Sequence, residues 1–208
     1  MLCDAPLIIA ALQAYGVGDH PAVQRAIGYL TGLVRENGFP CAASPEMGAS
    51  FKGPGSRNDP CPYASLIMLK VLARDPVFHD ADAARIGVET LLAHWERLPK
   101  PKMFLFGVGT DYRKLKYPLV WYDILHVLDT VSRFPFARED TRLIAMRDTV
   151  LAKQDGDGRY TPESVWMAYR GWDFGQKRVP SPWLTLLVER VRLRMSTPTW
   201  AAASKDEW

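Results

Sequence analysis

Basic residues stand in three groups along this chain: Lys52 with Arg57, then Arg113, Lys114 and Lys116, then Lys177 with Arg178. Each group falls in a long stretch rich in glycine and proline (residues 37–58, 99–118 and 155–180) that leads into an apolar segment. If those apolar segments are helices, each stretch ends at a helix N-terminus, where unpaired N–H groups and the positive end of the dipole face outward. Lysine and arginine beside such termini form an anion site, and a diphosphate would suit it. The plain alternative is that these are solvated loop charges.

The elements that must hold those loops repeat. Apolar segments open at Pro6, Pro62, Trp121 and Pro182, and amphipathic segments open between them near Pro21, Ala81 and Glu139. Arg25, Arg85 and Arg142 sit early in the amphipathic set, 60 and 57 residues apart. A period near 58 residues signals a repeated supersecondary unit that cannot bury its apolar face alone. The first set covers residues 7–15, 64–73, 124–131 and 183–192, and three of the four are apolar nearly all round, as helices packed on several sides are. The second set covers residues 21–36, 82–97 and 141–153, with Ile, Leu or Val at three-to-four spacing opposite a charged face. Alternating inner and outer helices of this kind predict an all-α solenoid or closed α/α barrel. The connections after inner helices are short and those after outer helices are long, so the long ones mark the binding face.

Two inner helices carry further reactive residue types. Asp59-Pro60-Cys61-Pro62-Tyr63 opens the second, and Tyr122-Asp123-Ile124-Leu125-His126 lies in the third. Read from local chemistry alone, Asp59-Pro60 is a helix cap and first-turn proline, Cys61 a small buried residue and His126 a core histidine. With the helical repeats, these segments resemble the α/α-toroid proteins, the protein prenyltransferase β-subunits and squalene/terpene cyclases. The likeness is nearest to bacterial proteins with prenyltransferase/squalene-oxidase repeats. The resemblance covers nearly the whole chain. It implies an α/α toroid or partial toroid of helix pairs, and a catalytic zinc held by the matching positions Asp59, Cys61 and His126. Such a set leaves a fourth position open, where a thiol or water could bind and lose its proton. Asp123, three residues before His126, would stand behind that ligand. Tyr63, Trp121, Tyr122 and Trp183 would line a cavity for an isoprenoid or another apolar ligand with an anionic head.

The cyclase branch has less to rest on, because its Asp-x-Asp-Asp acid motif is absent. Asp155-Gly156-Asp157-Gly158 reads as turn chemistry first. Three function classes follow. One is a prenyltransferase-like or isoprenoid-diphosphate-binding protein with zinc. The second is a non-catalytic helical-repeat binding scaffold. The third is a carbohydrate-active α/α barrel, for which Glu46, Asp111 and Glu163 would be the acids.

Composition bounds these readings. At 208 residues and 48% apolar the chain can bury a substantial core, and one repeat domain over residues 1–196 with a loose tail at 197–208 is expected. A formal charge of +3 is too small to argue for nucleic acid. Three cysteines cannot all pair within the chain, and no basic segment precedes the short N-terminal apolar run, so a cytoplasmic setting is expected. No stretch approaches the roughly 20 apolar residues that span a bilayer. An inner helix starting at Asp4 without a polar capping unit predicts that earlier repeats are missing, and that the exposed edge self-associates.

Overall fold

The computed structural model describes residues 3–41, 59–96 and 110–196. Among them lie seven α-helices and no strand. Lys52, Arg57 and Glu46 fall outside the described residues. The chain divides into two compact units, residues 1–107 and 108–208. No helix among the described residues is long and apolar enough to cross a membrane.

In the first unit, α1 (Asp4–Ala14) and α3 (Pro62–Leu72) pack against each other, α2 (Pro21–Thr31) packs on both, and α4 (Asp82–Glu96) packs on α3. Helix α3 is the hub. Ten of its eleven residues are buried, so the apolar sequence on every side of it has a partner. Helix α2 buries only Val23, Ile27 and Leu30, one stripe at helical spacing. It stops at Thr31, short of the expected residue 36, because the chain turns there: Arg35 and Gly38 exchange backbone hydrogen bonds, and Gly38 adopts φ +125°. Only glycine fits that turn, since a Cβ would also run into Thr90 Oγ1 on α4.

In the second unit, α5 (Ile124–Val131) packs on α6 (Thr141–Leu151) and α7 (Pro182–Ser196), which also touch each other. All eight residues of α5 are buried. Short 3-10 turns at Pro76–Phe78 and Pro135–Ala137 link α3 to α4 and α5 to α6, four residues after the first helix and four before the second in each case. Caps explain the starts. Prolines open α2, α3 and α7, while His20, Cys61, Asp123 and Asp140 accept hydrogen bonds from first-turn N–H groups.

The connection after α6 is held by its own side chains. Asp155 Oδ1 accepts from the N–H groups of Asp157 (3.0 Å) and Arg159 (2.8 Å), and Gln154 Nε2 donates to the Gly158 carbonyl at 3.1 Å. Gly158 has φ +78°, the left-handed position this turn requires. Asp155 and Asp157 therefore work as turn residues.

Candidate functional site

The head of α3 is built by non-local pairing. The Phe39 carbonyl accepts from Cys61 N–H at 2.8 Å, and Pro40 and Pro60 form an isolated antiparallel bridge. Thr90 Oγ1 on α4 donates to the Asn37 carbonyl at 3.1 Å. These contacts lay the turn after α2 across the start of α3 and beside α4. Between them opens a cleft of about 550 Å³, lined among the described residues by Glu36, Asn37, Asp59, Arg85, Glu89 and His94, with Ile86 and Thr90 behind. Three carboxylates face one guanidinium there, and Arg85 also holds Asp80 at 2.7 Å. Among the described lining residues the acids outnumber Arg85 three to one.

Asp59 belongs to this cleft, and Cys61 does not line it. The Cys61 side chain turns inward and caps α3, accepting from Ala64 N–H at 3.4 Å. Burial pushes its thiol up to about 12, against the smaller opposing influence of that N–H. Cys41 and Cys3 lie close enough for their charge to push the Cys61 thiol up further. All three are free thiols. Tyr63 is buried beside them, its phenol likewise pushed up to about 12 by burial.

His126 is buried on α5, with Nδ1 2.7 Å from the Trp121 carbonyl. A carbonyl only accepts, so Nδ1 carries a proton and donates it in this contact. Asp123 does not reach the imidazole through this network. Its Oδ1 accepts from the His126 backbone N–H at 2.9 Å as the cap of α5, and its Oδ2 is buried with no hydrogen-bond partner. Burial pushes the carboxyl up to about 7. Tyr122 is buried with its ring 5.2 Å from that of Tyr112, whereas Trp121 is partly exposed.

The three donors of a zinc site therefore suit it unevenly. His126 donates its Nδ1 proton to a carbonyl, as metal-bound histidines do with the nitrogen that does not bind the metal. Cys61 is a neutral helix cap instead of a thiolate. Among the described residues, no three His, Cys, Asp or Glu side chains form a group able to hold a metal ion.

Comparison with protein-family models, with curated proteins and with solved structures finds no match. The site must be read from its own chemistry.

Lys114 and Lys116, expected to bind an anion, meet a single carboxylate instead. Asp111 takes Lys116 Nζ at 2.8 Å and Lys114 Nζ at 3.6 Å, and the Lys116 hydrogen bond holds it below the ordinary carboxylate value. Lys116 is buried, its ammonium 4.7 Å from the centre of the Trp166 ring. Arg113 is exposed. Glu163 is clamped by Lys153 at 2.7 and 2.8 Å and accepts from Leu115 N–H at 2.7 Å. Asp111 and Glu163 thus act as counter-ions, the opposite of what a proton-donating glycosidase acid needs. Trp183 is 55% exposed and stacks on Tyr117, ring centres 6.3 Å apart.

Sequence reasoning missed Glu36, Arg85, Glu89 and His94. Arg85 and Glu89 are four residues apart on an amphipathic helix, which reads as a solvated face. Their role depends on where the turn at residues 35–38 lands.

Proposed function

We propose that the chain is a helical-repeat binding protein of the α/α-toroid type, and that its ligand is a small organic cation taken into the cleft ahead of α3. The observation that carries this is the gathering of Glu36, Asp59 and Glu89 around one concave space of ligand size. Acids outnumber bases among the described lining residues, which favours an amine or guanidinium over a diphosphate. Titration calorimetry with a diamine and an alkylguanidine tests it. Binding of at least one is expected, and Asp59→Asn and Glu89→Gln should each weaken it about tenfold or more, since a hydrogen bond to a charged group is worth ~1.5–3 kcal/mol. No heat with either compound, or equal affinity in both variants, sinks this reading.

The prenyltransferase-like reading, with zinc and an isoprenoid diphosphate, draws its support from the His126 ring alone. Bound zinc would supply an open position for a thiol or water. The chain's part would be the His126 lone pair, together with Asp59 and with Cys61 after loss of its proton. Metal analysis of protein purified without chelator separates the two readings. About one zinc per chain, lost in Cys61→Ala and in His126→Ala, is what the enzyme reading requires. The binding reading expects none, and expects His126→Ala to change stability without changing metal content.

A further inference from the structure

The connection between α6 and α7 displays its side chains from a fixed scaffold. Trp166 Nε1 donates to the Pro118 carbonyl at 3.0 Å. The chain then winds through successive tight turns: Tyr169 N–H reaches the Trp166 carbonyl at 2.8 Å, Trp172 N–H the Tyr169 carbonyl at 2.9 Å, and Gly175 N–H the Trp172 carbonyl at 2.9 Å. Gly175 lies so close to the Tyr169 carbonyl that a Cβ there would collide with it. Beyond it, Gln176 Oε1 accepts from the N–H groups of Arg178 (2.6 Å) and Val179 (3.0 Å), and its Nε2 donates to the Val179 carbonyl at 2.9 Å.

What this scaffold displays is apolar and basic. Its rings join those of Tyr117 and Trp183 in a chain: Trp183 stacks on Tyr117, Tyr117 meets Phe174 edge-on at 5.7 Å, and Phe174 stacks on Trp172 at 5.6 Å. Trp172 is nonetheless 62% exposed, Met167 68% and Val179 57%. Arg170, Lys177 and Arg178 are exposed beside them in the chain, and among the described residues none of the three pairs with a carboxylate. By contrast, Arg142, Arg147, Lys153 and Arg159 each hold one. Between Glu163 and Glu189 the sequence has one acid, Asp173, against those three bases. Trp172 and Trp183 each have one ring face on a neighbour, and Met167 and Val179 offer none, which suits nucleic-acid bases poorly because they stack on open aromatic faces. A bilayer surface takes what is present: tryptophan at headgroup level, aliphatic groups toward the acyl chains, and lysine or arginine beside the phosphates. Cations left without carboxylates favour a surface that is itself anionic. We infer that residues 166–180 form a docking face for an anionic lipid surface. This face belongs to the second unit and does not rest on what the cleft of the first unit binds.

Co-sedimentation of the full chain with vesicles tests it, phosphatidylcholine alone against phosphatidylcholine mixed with phosphatidylserine. Binding to the mixed vesicles and not to the neutral ones is expected, weakening as salt is added. Lys177→Gln with Arg178→Gln should weaken it about 30-fold, at ~1 kcal/mol for each basic residue near an anionic surface. Trp172→Ser should weaken it about tenfold, through loss of the apolar area that the indole buries. The charge variant alters two exposed side chains that have no ion pair to lose, so it should fold as the parent does. Circular dichroism checks both variants. A chain that stays in the supernatant with the mixed vesicles overturns the inference. So does equal binding to both vesicle types, or binding that either variant leaves unchanged. Tighter binding of a single-stranded oligonucleotide, weakened by the same variants, would make this a nucleic-acid surface and overturn it as well.

Discussion

Asp123→Asn is expected to make the protein more stable at pH 8 and to flatten its stability between pH 4 and 7. Asp123 caps α5 through one oxygen and leaves the other buried with no hydrogen-bond partner. Burial lifts its carboxyl from the ordinary 3.8 to about 7. Between those values the folded protein holds a proton that the unfolded chain has released. Stability therefore falls as pH rises through that window, is fully present below about pH 4 and is at its floor above about pH 7. At ~1.4 kcal/mol per pH unit, the ionised form costs on the order of 4 kcal/mol. Asparagine caps helices as well as aspartate does and has no proton to lose. The other shifted carboxylates do not blur the result, because Asp111, Asp129 and Asp140 are all held below the ordinary value and act at lower pH. Urea unfolding at pH 4.5 and pH 8 measures it. Parallel profiles for the parent and Asp123→Asn would show that Asp123 ionises in the fold as freely as in the unfolded chain.

What could be read from sequence follows from the range of the interactions involved. Helix α5 lies at residues 124–131 as expected, because an Asp cap and a fully apolar run are local signals. Helix α3 begins at Pro62, where the apolar segment is expected to open, since a proline can occupy a first turn. Helix α2 ends early because the Arg35–Gly38 turn is set by Gly38 against Thr90, 52 residues away. The same distant contact builds the cleft, which is why Asp59 was legible as a reactive residue and Glu36 and Glu89 were not. Lys116 shows the converse. Its type and neighbours suggested an exposed anion ligand, but Asp111 and the face of Trp166 take its charge within the second unit. A motif gives residue types, and only packing tells which of them meet a ligand and which meet each other.

Arg194 is expected to be the most costly charged side chain to remove. The last turn of α5 leaves carbonyl groups that must find donors, and its dipole end favours cations. Arg194, from the last turn of α7, donates to the Asp129 carbonyl at 3.0 Å, to Ser132 Oγ at 2.7 Å and to Asp129 Oδ1 at 3.3 Å. Arg133 takes the other Asp129 oxygen at 3.2 Å, and Arg138 Nε reaches the Ser132 carbonyl at 2.9 Å. Burial opposes the ionisation of Asp129, yet Arg133 and Arg194 together hold it below the ordinary carboxylate value. Burial also pulls Arg194 below the usual arginine value, which leaves a guanidinium charged at neutral pH. Arg194→Met should therefore cost roughly 3–5 kcal/mol at pH 7, the usual result of stranding one member of a buried ionic group. Arg194→Lys should recover little, because one ammonium cannot reach a carbonyl, a hydroxyl and a carboxylate in the geometry of a planar fork. Removing the stranded carboxylate as well, in Arg194→Met with Asp129→Leu, should regain part of the loss. This contribution is present above the ordinary carboxylate pKa and disappears as pH falls through the lower folded value, opposite in sign to that of Asp123. Urea melts of the single and double variants decide it. A single-variant loss under about 1 kcal/mol would mean that Arg133 alone satisfies Asp129 and that α7 is held to α5 by its apolar stripe, Leu184, Val188 and Val191.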